Sequence, residues 1–177
     1  MFDPTAFDNM KVVIEGALYD LDMSGEILVT DRNDWLNLAK MSRLFTISFV
    51  LRESRLPIHA KMELEAKLNN LAAELLQESL SEQNAGCYVK LQFSLELPEN
   101  QRDFYGLYKI FQNIWGETRK ISQSVEYNPL EKSKNISLII SIDFERIVKE
   151  EQMEDFAEMM EFMIATLQQL EEYGSGS

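Results

Sequence analysis

The chain has 177 residues, with 17 basic against 30 acidic side chains, a net charge of −13, and 45% hydrophobic and 10% aromatic content. That length and apolar content suffice for a core without staples and exclude wholesale disorder. The acidic balance argues against nucleic acid and against an anionic membrane surface as partners, and favours basic or polar protein partners.

The N-terminal MFDPTAFDNM has neither a basic lead nor a long apolar run, so no signal peptide is expected. Residues 10–20, MKVVIEGALYD, alternate loosely and are apolar on both sides, which predicts an inner strand with Gly16 at a bulge or close approach. Asp20 to Gly25 carries turn chemistry, EILVT (26–30) a short strand, and DWLNLAKM (34–41) a helix of one to two turns. Residues 43–52 set Phe45, Ile47, Phe49 and Leu51 on one face of a half-buried strand. Pro57 then suits the first turn of a helix over 57–82, with Leu64, Leu68, Leu71 and Leu75 on one stripe and Gly86 after its end.

Residues 87–97, CYVKLQFSLEL, alternate most cleanly. Val89, Leu91, Phe93, Leu95 and Leu97 face the core and Lys90, Gln92, Ser94 and Glu96 face water, the pattern of an antiparallel sheet with helices on one side. Asp103 caps an aromatic helix over 103–115, closed by Gly116. A strand over 118–127, a turn over 128–135 and the apolar strand ISLIISIDF (136–144) follow, and the chain ends in a long acidic helix over 150–173. The expected fold is α+β: about six mostly antiparallel strands with two long helices, 57–82 and 150–173, on one face, plus the shorter aromatic helix. One domain over 1–173 is expected. The strand–helix unit at 44–82 partly matches that at 136–173, which suggests halves at 10–86 and 87–173, with 174–177 a tail or an expression scar.

Little in the sequence points to catalysis. The only cysteine, Cys87, and the only histidine, His59, lack an activating setting, and they exclude an internal disulfide and the usual zinc ligand set. One cysteine also fits a reducing compartment, and no run is long enough to span a bilayer, so a cytoplasmic location without membrane association is expected. No dinucleotide, phosphate-loop or zinc-protease motif is present, and no cofactor or metal is expected. Residues 20–31, DLDMSGEILVTD, follow the spacing of a calcium loop, with Asp20, Asp22 and Ser24 as oxygen donors, Gly25 at the bend, Ile27 as apolar bridge and Asp31 closing. The stretch resembles an EF-hand loop, or the dockerin variant that closes with Asp. It departs from the EF-hand pattern at Leu28, which cannot orient a water, in closing with the shorter Asp31, in following a predicted strand where an EF-hand needs a helix, and in lacking a second loop. Calcium binding is the weakest functional alternative.

The final helix carries more. Residues 150–173 hold Glu150, Glu151, Glu154, Asp155, Glu158, Glu161, Glu171 and Glu172 with no Lys or Arg. Met153, Phe156, Met160, Met163, Leu167 and Leu170 fall on a heptad seam, and Met159, Phe162 and Ile164 widen it. Packing between the sheet and the helix expected at 57–82 explains such a seam. A Met-rich, adaptable surface rimmed by acids is the functional alternative. The sequence therefore reads as a non-enzymatic interaction domain (an adaptor, regulator or dedicated chaperone) that binds a protein partner or itself through Met153, Phe156, Met159, Met160, Phe162 and Met163. The runner-up is a small-molecule or catalytic site beside the aromatic helix 103–115.

Overall fold

The computed structural model describes residues 5–76, 82–101 and 103–176. The order of elements is α1 (Ala6–Met23), β1 (Ile27–Asn37), β2 (Ser42–Leu51), β3 (His59–Ala66), α2 (Leu68–Leu75), β4 (Cys87–Pro98), α3 (Phe104–Trp115), β5 (Lys120–Glu126), β6 (Asn135–Val148) and α4 (Asp155–Ser175). The strands form one six-stranded sheet in the order β1-β2-β3-β4-β6-β5, with every neighbouring pair antiparallel. The fold is α+β, as expected.

Three of its parts differ from the sequence reading. Residues 10–20 are not an inner strand but the middle of α1. The Val12-Val13-Ile14 run suggests a strand, yet Phe7, Met10, Ile14 and Leu18 are the buried positions, at helical spacing. A capping box starts the helix: the Asp8 amide donates to Thr5 Oγ1 (3.3 Å) and the Thr5 amide to the Asp8 carboxylate (3.4 Å). Residues 57–82 are not one long helix. Their first part is β3, where Ala60, Met62, Leu64 and Ala66 alternate inward, and only Leu68–Leu75 is helical. HAKMELEA is built from good helix formers, but it pairs on both sides, with β2 and β4, and that pairing overrides propensity. Of the leucine stripe, Leu64 is core while Leu68 and Leu75 are exposed. Residues 77–81 of the expected helix lie outside the described residues. The strand–helix unit at 44–82 is therefore absent, and with it the match to 136–173. Six strands is still the right number, because the strand expected at 10–20 is replaced by β3.

Residues 34–41 are also not helical. Asp34 to Asn37 complete β1, and 38–41 turn the hairpin into β2, with the Lys40 amide donating to Asn37 Oδ1 (3.1 Å) and Met41 in the left-handed region (φ 52°). The strands at 43–52, 87–97, 118–127 and 136–144 and the helices at 103–115 and 150–173 stand where expected, within a few residues. Helix α4 runs on through Gly174 and Ser175.

One sheet face carries the core. Phe45, Ile47 and Phe49 of β2, Met62 and Leu64 of β3, Leu91 and Phe93 of β4, and Leu138, Ile140 and Ile142 of β6 are all fully buried. Helices α1, α4 and α3 cover them, with α4 touching both of the others. The opposite face follows from the strand registers and is polar. One row across it reads Asn33, Thr46, Glu63, Lys90, Asp143, Lys120, and the next reads Asp31, Ser48, Lys61, Gln92, Ser141, Ser122. Signs alternate along the first row, which suits a solvated surface.

Candidate functional site

Helix α4 is the central helix of its layer, and its seam points inward. Phe156, Met159, Met160 and Met163 are buried, as are Ile164, Leu167 and Leu170. Met153 is partly buried against the core, and Phe162 is 39% exposed. Of the six residues expected to form a partner surface, the structure thus puts four inside and one at the edge, and leaves Phe162 at the surface. Phe162 is itself half-engaged: its ring meets Trp115 edge-on at 5.7 Å. Trp115 also donates from Nε1 to Thr166 Oγ1 (3.0 Å), and Thr166 returns its hydroxyl proton to the Phe162 carbonyl (2.7 Å). This chain locks α3 to α4 and satisfies two buried polar groups. Glu154, Asp155, Glu158 and Glu161 remain exposed on the outer face.

The far end of α4 is pinned as well. Glu171 accepts hydrogen bonds from Ser54 Oγ (2.5 Å) and from the Arg55 amide (2.8 Å), which ties the β2–β3 connection to the helix.

The sheet side of the aromatic helix is packed by its own side chains. Leu107, Phe111 and Trp115 are buried there; Phe111 meets Phe93 edge-on at 5.3 Å and Trp115 meets Phe144 at 6.3 Å. Among the described residues, three hollows open on other parts of the surface. One of about 430 Å³ sits on the polar sheet face between Asp31, Ser48, His59, Lys61, Gln92 and Ser94. Two more, of about 370 and 400 Å³, flank the β5–β6 turn near Tyr127, Asn128 and Glu131.

His59 and Cys87 lie on neighbouring strands but far apart. His59 pairs with Ser94, seven residues along β4 from Cys87, or roughly 20 Å at the rise of an extended strand. Cys87 is fully buried, and burial first, then the nearby Glu74 and Asp8 charges, pushes its thiol up to about 12. It is a packed, protonated thiol with no imidazole to activate it.

The residues that match a calcium loop are dispersed. Asp20 and Asp22 lie in the last turn of α1, so a helix does precede the loop, but a strand follows it. Asp22 accepts from the Val29 amide (2.8 Å) and from Arg52 (2.7 Å), while Ser24 donates to the Leu21 carbonyl (2.9 Å). Gly25 takes φ 85° just past the helix end, where a left-handed residue lets the chain reverse. Asp31 lies on β1 and accepts from Asn33 (2.8 Å). Among the described residues no group of three or more His, Cys, Asp or Glu side chains is placed to hold a metal ion. Here the Asp and Ser side chains close a helix-to-strand turn.

What sequence reasoning did not single out is the β1–β2 hairpin. Trp35 (60% exposed), Leu36 (62%), Leu38 (73%) and Met41 (53%) stand in the open within seven residues of chain. Trp35 and Leu36 leave opposite faces of β1, and Leu38 and Met41 crown the turn. The turn end of the hairpin is held by charge. Arg43 donates to both oxygens of Asp34 (2.9 and 2.8 Å) and to Asp8 (2.7 Å), and Lys11 donates to Asp34 (2.6 Å). The hydrogen bond from Arg43 is the largest influence holding the Asp34 carboxyl down at about 2, and the Asp34 carboxylate in turn raises Arg43. For Asp8, burial pushes up, but hydrogen bonds from Thr5 and Arg43 outweigh it and leave the group below its ordinary value. The sequence signal was present as Trp-Leu-x-Leu between turn residues, but helical spacing absorbed it.

No family model, curated protein or solved structure matches this chain. No helix among the described residues is long and apolar enough to cross a membrane.

Proposed function

We propose that this chain is a non-enzymatic protein-interaction domain whose partner surface is the end of the β1–β2 hairpin. The observation that carries the reading is the contrast between two apolar groups. The Met-rich seam of α4 is largely buried against the sheet, whereas Trp35, Leu36, Leu38 and Met41 are exposed within seven residues at the end of the β1–β2 hairpin. Large apolar side chains clustered on a surface mark contact sites more often than the same residues scattered singly. Ion pairs of Asp34 and Arg43 with Lys11 and Asp8, close to the turn, tie this end of the hairpin to α1 while Leu36, Leu38 and Met41 stay exposed. The partner would be an apolar or mixed segment without a strong negative charge, because the outer face of α4 and the chain as a whole are acidic.

A displayed library of random peptides tests this reading. Selected peptides should bind the wild-type protein, lose at least tenfold in affinity for Leu36→Ser combined with Leu38→Ser, and keep their affinity for Glu158→Gln combined with Glu161→Gln. The opposite pattern, with binding lost only in the α4 variant, would move the working surface to the acid-rimmed helix beside Phe162.

A further inference from the structure

Among the described residues the outer edge of β1 is unpaired, and it is long: eleven residues, against seven for β5 at the other edge. Unpaired edges invite other strands, and proteins guard them with charges and bulges. Here a bulge lies between Val29 and Asp31, and charges stand at Asp31, Arg32 and Asp34. From the structure we infer that this edge pairs with the same edge of a second copy, antiparallel about a twofold axis through Asn33. The inference rests on the reading of this hairpin as an interaction element: it assigns the strand edge, Trp35 and Leu36 included, to self-association, while Leu38 and Met41 at the turn stay outside the paired stretch.

The guarding charges select the register. A twofold axis normal to the sheet keeps the helices of both copies on one side, so each residue must face one that points to the same side. Beyond the bulge, Arg32, Asp34 and Leu36 point to the helix side and Asp31, Asn33 and Trp35 to the open side. Centring on Arg32 sets two arginines face to face. Centring on Asp34 sets two carboxylates face to face. Centring on Trp35 sets Asp34 against Leu36. Only centring on Asn33 sets Arg32 opposite Asp34 of the copy, and does so twice. Directly opposed charges of unlike sign favour a pairing and like charges oppose it. Arg32 has capacity for this contact: it is about half exposed, and its own-chain contacts are long, 3.5 Å to Glu15 and 3.3 Å to the Tyr19 hydroxyl.

Net charge points to the same edge. Two copies carrying −13 each repel, and they approach most easily where the local charge is balanced. Residues 27–43 carry Asp31 and Asp34 against Arg32, Lys40 and Arg43, whereas 150–173 carries eight acids and no base.

The test joins solution mass with a cross-link. The wild-type protein should show the mass of two 20.6 kDa chains, and Arg32→Asp the mass of one, with an unchanged circular dichroism spectrum. Asn33→Cys should close a disulfide across the axis under mild oxidation, because opposed residues of an antiparallel pair bring their Cα atoms within disulfide range. Cys87 is buried and does not compete. Ser124→Cys on the other edge strand should remain monomeric on a denaturing gel. A monomeric wild-type protein, or a dimer that Arg32→Asp leaves intact, or Asn33→Cys cross-linking no better than Ser124→Cys, overturns the inference. If peptides still bind the hairpin tip in that case, self-association fails while the interaction reading stands.

Discussion

Asp34 shows how a single residue couples the hairpin to the helix layer. It receives Lys11 from α1 and Arg43 from β2, and its carboxyl is lowered from an ordinary 3.8 to about 2. A carboxyl that is more acidic in the folded state stabilises the fold above its unfolded value, and that contribution is lost as pH falls through the folded one. The window is therefore about pH 4 to 2. Because the pair is partly exposed, the effect is about 1 kcal/mol or less. Asp34→Asn should lower the urea midpoint slightly at pH 7 and match wild type near pH 2. An equal deficit at both pH values would show that the side chain acts through packing and not through its charge.

Gly86 is decisive at the same scale. It takes φ 141°, and a Cβ there would run into the Val148 carbonyl and Ile147 Cγ2 on β6. Neither obstacle is the free end of a flexible chain. Gly86→Ala should cost about 1–3 kcal/mol, the usual range for a strained backbone position, measurable as a drop in urea midpoint with unchanged slope. The sequence suggested Gly86 as a helix stop. What it holds is the entry to β4 against the end of β6.

Among elements, those legible in sequence were those whose pattern had one reading. β4 alternates strictly over its whole length, and α3 begins at Asp103, which accepts from the Gly106 amide (2.9 Å), and ends at Gly116 (φ 88°). Both stand where expected. α1 and β3 went astray because two periods overlap in each. Val12 and Val13 favour a strand, but they lie on the solvent side of a helix whose buried residues are Phe7, Met10, Ile14 and Leu18. In β3, Met62 and Leu64 continue into Leu68 and Leu71, so leucine spacing mimics a helix across a real boundary at Lys67. Strand pairing on both sides decides the matter, and that information lies in residues far along the chain. The hairpin was missed for the same reason: Trp35 and Leu38 are three apart, which fits a helix as well as a strand leading into a turn.

On the scale of the molecule, three helices spend their apolar faces on one side of the sheet, and the other side stays polar. α4 lies between α1 and α3, so its surplus apolar width is explained by two helical neighbours as well as the sheet beneath. Four of the exposed large apolar residues, Trp35, Leu36, Leu38 and Met41, fall together in sequence on the β1–β2 hairpin, while others lie on α1, on α2 and around the β5–β6 turn. This division of apolar surface into a buried α4 seam and an open hairpin is the basis of the functional reading. Urea denaturation of two truncations, Met160→Ala and Leu38→Ala, measures it most directly. Met160 is 2% exposed and Leu38 73% exposed. Truncating a core methionine should cost about 2–5 kcal/mol, and truncating a free surface leucine about 0.5 kcal/mol or less. A near-neutral Met160→Ala with a strongly destabilising Leu38→Ala would mean that the seam is the open surface and the hairpin part of the core, and would contradict the account.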